Sequence, residues 1–432
     1  MHRRSFIKTT GQALTGLLGL SALPKRSTQC NHSSIDSADQ VIDPRDETYW
    51  SLVREQFPLT HERTYLNTAG LGASPYVVIE AVKNKITELE RICETGHDEE
   101  LWHDLKSKAS QVLGCKPEEI AYTRNATEGI AIVCNGLPLE RGDEVITSTH
   151  EHAGNTLSWL ARQKRDGIVM KTFEPATSSA QENLERIQKL LTKRTRAVSI
   201  AHVTTSTGQI LPVTRIGEWA AANKLWYFVD GAQAAGMLPV NVLEIGCHAY
   251  AASGHKWLLG PKGTGLLYVR QDALDLIAAR QVGSYSNSGE FDMATGAFQF
   301  HPTAQRYEYG TVSTPLLVGL GAAIDFLLQI GMENIWRRDF AMASALKNGL
   351  NQLGVEVKSP QHPQEHSAIV TFTLKNMDRI KLQTFLSEKY KLRTRGIYEG
   401  GLNAVRISFH LYNSFAEVEK ALEGVRAAMA IE

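Results

Sequence analysis

Trp226-Tyr227-Phe228-Val229-Asp230-Gly231-Ala232-Gln233 is a compact β-rich run that ends on a carboxylate and breaks at a glycine. A short apolar run bounded by turn residues reads as a buried strand. An Asp at the carboxyl end of such a strand points into the crevice where open α/β sheets bind ligands. Taken alone, Asp230 reads first as the N-cap of a following helix.

Outward from this run, strand-like and helix-like segments alternate. Residues 119–123, 144–147, 197–203 and 266–269 read as strands; the second follows the turn Arg141-Gly142-Asp143 and the last follows Gly263-Thr264-Gly265. Residues 180–191 and 216–224 read as helices, and Val78, Ala81, Val82, Ile86, Leu89 and Ile92 recur at helical spacing within 76–113. Such alternation predicts an α/β domain with a mostly parallel sheet. Residues 283–310 lack periodicity and read as a long loop that lines a site. After Pro315 an apolar helix over 317–330 leads into a C-terminal α+β domain. The expected divisions are 1–30, an export signal; 31–60, a linker and N-terminal segment; 61–312, a large domain; and 313–432, a small domain.

Ser253-Gly254-His255-Lys256-Trp257 lies downstream of Asp230. Burial disfavours an ammonium ion, so a lysine in an apolar setting supplies a neutral amine that attacks an aldehyde. Asp230 would keep a pyridine nitrogen protonated and so make the ring an electron sink. Thr123-Arg124-Asn125-Ala126-Thr127-Glu128-Gly129 joins a strand to a helix, and the N–H groups opening that helix suit a phosphate. Glu151-His152 follows another strand end, where an imidazole can stack on a flat ring. His150, His152, His202 and His255 invite a metal, but their spacings fit no compact ligand motif, and no metal site is expected.

In this order and at these approximate spacings, the segments resemble the class V aminotransferase family of pyridoxal-phosphate enzymes, from about residue 65 to about 428. The resemblance implies fold type I: a large domain with a mostly parallel seven-stranded sheet flanked by helices, and a smaller C-terminal α+β domain. It implies that Lys256 holds pyridoxal 5'-phosphate as a Schiff base and later moves the substrate proton, that Asp230 pairs with the pyridine nitrogen, and that Gln233 meets the phenolic oxygen. It places His152 on the ring face with Thr205 beside it, and Ala126, Thr127, Ser253 and His255 at the phosphate. Glu308-Tyr309-Gly310-Thr311 is similar to the segment that reaches the phosphate across a homodimer interface. Arg406, in Val405-Arg406-Ile407-Ser408, would grip a substrate carboxylate, with Asn67 and Arg395 also on the substrate side. Guanidinium matches a carboxylate with two parallel hydrogen bonds.

Desulfurases of this family need a cysteine just before the carboxylate-binding arginine. Residues 395–405 contain none, and none follows Cys247, so a cysteine desulfurase is not expected. Thr205 stands where those enzymes carry an Asn. The pattern resembles the isopenicillin N epimerase-like branch. The implied chemistry is an external aldimine and Cα deprotonation on an amino acid or related amine, aminotransferase- or epimerase-like. A C–S or other β-lyase is the alternative, and a non-catalytic binding protein of the same fold is a third reading.

Composition fits an ordinary globular enzyme. The 432 residues are 43% hydrophobic and 21% charged, with 46 basic and 46 acidic side chains. That balance gives no reason to expect nucleic acid or an acidic membrane surface as a partner. The five cysteines, at 30, 93, 115, 134 and 247, form no Cys-x-x-Cys pair and read as free thiols. The N-terminus, with Arg3, Arg4, Phe6 and Lys8 before an apolar run over 13–23, resembles a bacterial twin-arginine signal. Export to the periplasm is therefore expected, or a cytoplasmic location if the signal does not function. The run is too short to span a bilayer, and no other stretch qualifies.

Overall fold

The computed structural model describes residues 44–431. The expected export signal, Cys30 and the start of the linker lie outside them.

Residues 44–431 carry two main sheets. Strand β1 (Thr64–Tyr65) follows a helix over Glu47–Glu55. Helices Tyr76–Ile92 and Glu99–Leu113 lead to the large sheet. Its strands are β2 (Ile120–Thr123), β3 (Glu144–Ser148), β4 (Val169–Phe173), β5 (Thr195–Ala201), β6 (Trp226–Asp230), β7 (Ala249–Ser253) and β8 (Gly265–Val269), in the spatial order β2-β8-β7-β6-β5-β3-β4. The four pairings among β4, β3, β5, β6 and β7 are parallel, while β8 runs antiparallel to β7 and β2. The mostly parallel seven-stranded sheet is therefore present, with one reversed strand near an edge. Helices on both faces bury its strands, so the central ones read as near-continuous apolar runs.

Caps set where the helices begin. Asn125 Oδ1 accepts from Glu128 N at 2.9 Å and starts Ala126–Gly136; His152 Nδ1 accepts from Gly154 N at 3.1 Å and starts Ala153–Asp166. Each cap stands just past a strand that ends at the ligand side of the sheet. Helix Thr314–Ile330 starts with Pro315 in its first turn and packs on Tyr76–Ile92 and Glu99–Leu113. No single helix among the described residues is long and apolar enough to cross a membrane.

The smaller sheet has the order β12-β13-β10-β9, all antiparallel, from β9 (Glu356–Val357), β10 (Ile369–Thr373), β12 (Arg395–Ile397) and β13 (Ala404–Ser408). Strand β11 (Leu392–Arg393) pairs with β1 instead, in parallel. A second apolar core forms between this sheet and helices Met332–Gln352, Arg379–Tyr390 and Phe415–Met429, and it takes in Leu66 from the N-terminal stretch. The expected long loop over 283–310 holds short 3-10 turns at Ser284–Ser286 and Ala304–Tyr307, and its outer part leaves Phe291 and Met293 exposed.

Candidate active site

β6 and β7 are parallel neighbours, with Asp230 in register with Ala251. Asp230 and the segment after Ser253 therefore emerge at one end of the sheet, as the crevice rule requires. Asp230 Oδ1 accepts from Ala232 N at 2.9 Å, which fixes the carboxylate. Gly231 is needed because a Cβ there would lie 1.9 Å from the Tyr250 ring. Tyr250 shares a 3.0 Å hydrogen bond with His202 Nδ1, so an aromatic and a histidine back the aspartate.

Lys256 is buried, with 9% of its surface exposed. Burial pushes its amine down to about 8; Asp230 pulls the other way, and Arg406 and Arg395 add to the lowering. A sizeable neutral fraction near pH 8 is what a lysine nucleophile and base requires.

The start of helix Ala126–Gly136 offers N–H groups suited to a phosphate. Ala126 N meets Ser253 Oγ at 3.4 Å. Thr127 Oγ1 lies so near Gly154 that a Cβ on the glycine would stand 2.5 Å away. Beside Ser253, His255 Nδ1 is buried without a hydrogen-bond partner. Glu308 is buried, receiving Tyr122 N at 2.8 Å, Trp102 Nε1 at 3.1 Å and Lys106 Nζ at 2.9 Å. Gly310 and Thr311 face outward: Thr311 is exposed, and a Cβ on Gly310 would meet nothing within 4 Å. Among the described residues, no hydrogen bond ties either to the Lys256 cluster.

His152 stands at the mouth of the crevice. Burial lowers its pKa, Lys256 and Arg395 lower it further, and Asp230 and Glu399 oppose them. Its neighbour Glu151 is fully enclosed and accepts from Ser148 Oγ at 2.5 Å, Asn155 Nδ2 at 2.9 Å and Ala201 N at 3.1 Å. Burial still outweighs these bonds and raises the Glu151 pKa to about 7.

Arg406 sits in β13 with 0% exposure. Its Nη1 donates to the Thr205 carbonyl at 2.9 Å and the Thr205 hydroxyl at 2.8 Å, and its Nη2 donates to Asn67 Oδ1 at 3.0 Å. Its Nε is buried with no partner. Every partner it has is neutral. Arg395 stands directly opposite in the β12–β13 ladder and pairs with Glu399.

Thr205 and Gln233, both expected at the cofactor, also bond to each other. Gln233 Nε2 donates to the Ala69 carbonyl at 2.9 Å and to Thr205 Oγ1 at 3.0 Å, while Gln233 Oε1 accepts from Trp257 Nε1 at 2.8 Å. Both ends of the amide are engaged inside the protein. Thr205 and Gln233 thus form a brace from Trp257 to Arg406, a role set by partners far apart in the chain. Glu399, Tyr250, Asp339 and His410 were missed for the same reason. The one local signal was Glu399 four residues after Arg395.

Among the described residues the free cysteines are Cys93, Cys115, Cys134 and Cys247, all before residues 395–405 in the chain; burial pushes Cys115 and Cys134 up to about 12. No group of three or more His, Cys, Asp or Glu among the described residues is placed to hold a metal ion.

A buried lysine with a lowered pKa, a carboxylate at a strand end, a helix N-terminus flanked by hydroxyls and an unpartnered His255 nitrogen fit pyridoxal phosphate. Fold and site define a fold type I pyridoxal-phosphate enzyme, and pyridoxal 5'-phosphate is its cofactor. Residues 64–421 match the Aminotransferase class-V family model, and the chain belongs to that family.

A probable cysteine desulfurase of Pyrococcus abyssi is 25% identical over 389 residues, covering 86% of this chain and 95% of that protein. An isopenicillin N epimerase of Amycolatopsis lactamdurans is 28% identical over 407 residues, covering 88% and 98%. Among solved structures, an apo cysteine desulfurase of Thermococcus onnurineus gives a TM-score of 0.77 at 25% identity, covering 87% and 97%. The cystine C-S lyase C-DES, solved with its product cysteine persulfide, gives 0.78 at 28%, covering 86% and 99%.

Proposed function

We propose that this chain binds a free α-amino acid through its carboxylate and removes the Cα proton, and that the outcome is β-elimination of a sulfur substituent. The observation that carries the substrate class is Arg406: a wholly buried guanidinium with neutral partners and an unsatisfied Nε–H. An uncompensated buried charge costs several kcal/mol, about 3–5 when a partner is removed from a pair, so a site that keeps one is built for a ligand of opposite charge.

Pyridoxal phosphate supplies, when bound, the aldehyde that captures the amine and the ring that takes up electrons at Cα. The protein's residues do the rest. Arg406 fixes the carboxylate and so turns one Cα bond toward Lys256. Lys256 Nζ takes the Cα proton as a general base. The Cβ–S bond then breaks with its electron pair on sulfur, the proton taken by Lys256 passes to that sulfur so that it leaves as a thiol, and one water is consumed as pyruvate and ammonia are released. Asp230 would hold a proton on the pyridine nitrogen of the bound cofactor.

Burial lowers the Lys256 amine to about 8, which suits it to act as a base at Cα and favours outcomes completed from a single face. Residues 395–405 lack the nucleophile that takes sulfur from cysteine, so elimination is favoured over desulfuration. The C-S lyase and desulfurase names among similar proteins support chemistry at a C–S bond. A second reading, epimerisation, is supported by the similar epimerase; it needs a protonated donor on the face opposite Lys256.

Incubation of the holoenzyme with cysteine S-conjugates in deuterated water separates the outcomes. Pyruvate and thiol in equal amounts are expected. Deuterium at Cα without a keto acid would move the assignment to an epimerase. A keto acid without thiol would move it to an aminotransferase, and alanine formed from free cysteine in a parallel incubation to a desulfurase.

Two further features complete the proposal. The outward-facing Gly310 and Thr311 serve the phosphate site of a second copy, in a homodimer. Arg3 and Arg4 direct export through the twin-arginine route, so replacing both by lysine should leave the protein in the cytoplasm.

A further inference from the structure

Glu308 carries a buried charge that no step at the crevice uses. Its carboxylate lies 2.9 Å from Lys106 Nζ, and the two side chains are 1% and 8% exposed. The same carboxylate accepts from Tyr122 N at 2.8 Å and from Trp102 Nε1 at 3.1 Å, so it is fastened to strand β2 and to helix Glu99–Leu113. A buried ion pair is often no more stable than apolar residues of the same volume, so its presence calls for a role beyond stability. The chain that follows Glu308 supplies one. The Tyr309 carbonyl oxygen lies where a Cβ on Gly283 would stand 1.8 Å away. At the far end, Thr314 Oγ1 donates to the Thr95 carbonyl at 2.8 Å, just before helix Glu99–Leu113. Between these anchors Thr311 is exposed, and among the described residues neither Gly310 nor Thr311 makes a hydrogen bond. The span is held at both ends and bare in the middle.

We propose that Glu308, through its pair with Lys106, is a positioning residue that acts in the second copy: it holds Gly310 and Thr311 in place for that copy's cofactor phosphate. This rests on the reading that Gly310 and Thr311 serve the phosphate site of a second copy. A loose span must be ordered before its N–H groups and hydroxyl can meet a phosphate, and that cost is subtracted from binding. A span ordered in advance removes the cost. Hydrogen bonds to an anion are charge-assisted, so their geometry is worth fixing. Glu308 and Thr314 do the ordering from inside their own subunit. The benefit therefore falls on the site whose Lys256 belongs to the other chain. Glu308 stands behind the span and acts only through it.

The test measures cofactor loading rather than turnover. Borohydride fixes pyridoxal phosphate covalently only to a chain that has Lys256, and mass spectrometry counts the fixed fraction as the cofactor concentration is raised. Glu308→Gln homodimers are expected to half-load at a concentration roughly tenfold above the parent, and Thr311→Ala homodimers at least as far above. Because Glu308 acts through the span, adding Glu308→Gln to Thr311→Ala should change loading by less than about twofold. Mixed dimers then assign the copy. A Glu308→Gln chain paired with a Lys256→Ala chain should load like the parent, because the span that reaches it is intact. A parent chain paired with one carrying both Glu308→Gln and Lys256→Ala should load roughly tenfold worse. Glu308→Gln combined with Lys106→Met strands no charge. Its urea midpoint should recover toward the parent while its loading stays weak, and it carries the same measurements if Glu308→Gln alone does not fold. Parent-like loading of Glu308→Gln homodimers, the reverse pattern in mixed dimers, loading that recovers with stability, or a further tenfold loss on top of Thr311→Ala overturns the positioning role. Three other results overturn the reading of the span itself, which distinguishes the two failures: a monomeric chain in solution, parent-like loading of Thr311→Ala homodimers, or poor loading of a Thr311→Ala chain paired with Lys256→Ala.

Discussion

His410 Nδ1 lies 2.7 Å from Asp339 Oδ2, and His410 Nε2 lies 3.0 Å from the backbone carbonyl oxygen of Trp257, the residue after Lys256. Both side chains are fully buried. A carbonyl only accepts, so Nε2 carries a proton. Nδ1 then either donates to a carboxylate or accepts from a carboxylic acid, and both arrangements hold the same number of protons. The pair is therefore net neutral either way. His410 follows Arg406 on the same chain segment, so one brace ties the carboxylate site to the backbone that carries the lysine. His410→Ala should cost about 3–5 kcal/mol in urea unfolding, because it leaves Asp339 buried without its partner. A loss under about 1 kcal/mol would remove the brace from the argument.

Lys256→Met should separate stability from chemistry. The folded protein lowers this amine from 10.5 to about 8. Between those values the unfolded chain binds more protons than the folded one, so apoprotein stability rises with pH across that window. Below pH 8 the cost of neutralising or burying the ammonium is fully present. The variant apoprotein should therefore be more stable than the parent at pH 7, by up to roughly 3 kcal/mol, and the difference should vanish above about pH 10.5. Turnover should fall by at least about 100-fold because the base at Cα is gone. A variant that unfolds more easily at pH 7 than the parent would contradict the linkage.

Arg406→Met should weaken binding of amino acids by roughly 100-fold, the worth of a charge-assisted bidentate contact, and should leave amines without a carboxylate little changed. Arg406→Lys should rescue little, since an ammonium cannot present the planar fork and would lose the bonds to Thr205 and Asn67. Spectral titration with an amino acid and its decarboxylated amine reads both effects. Equal weakening of the two ligands would mean that Arg406 shapes the crevice rather than holding the carboxylate.

The sequence made some of this legible and hid the rest for definite reasons. β5 and β6 are central strands whose apolar runs have no helical period, so they stood out. β7 is Ala249-Tyr250-Ala251-Ala252-Ser253, and alanine carries no strand preference. β4 is an edge strand with Lys171 at its centre, so its apolar signal is diluted. Asp230 and Lys256 could be read because each stands in a short motif at a strand end. The partners of Arg406 could not, since Thr205 is 201 residues away in the chain, and the Asp339–His410 contact spans 71. Spacing predicts neighbours along a strand or helix, whereas these contacts exist only once the two sheets have met.

Glu151 offers a pH test of the buried network behind the crevice. Its pKa rises from 4.5 to about 7, chiefly by burial, with Asp230 adding to the rise and the bonds from Ser148, Asn155 and Ala201 opposing it. Between pH 4.5 and 7 the folded protein therefore holds a proton on Glu151 that the unfolded chain has lost. Stability contributed by this group is fully present below pH 4.5 and declines as pH rises through 7, by roughly 3 kcal/mol in all. Glu151→Gln cannot titrate. Its urea unfolding free energy should lose that downward slope, whatever its absolute stability, while other groups keep their own dependence. The comparison is best made as the difference between parent and variant at each pH, which cancels the titrations they share. A difference that stays flat from pH 4.5 to 8 would show that Glu151 ionises normally and that its three donors outweigh its burial.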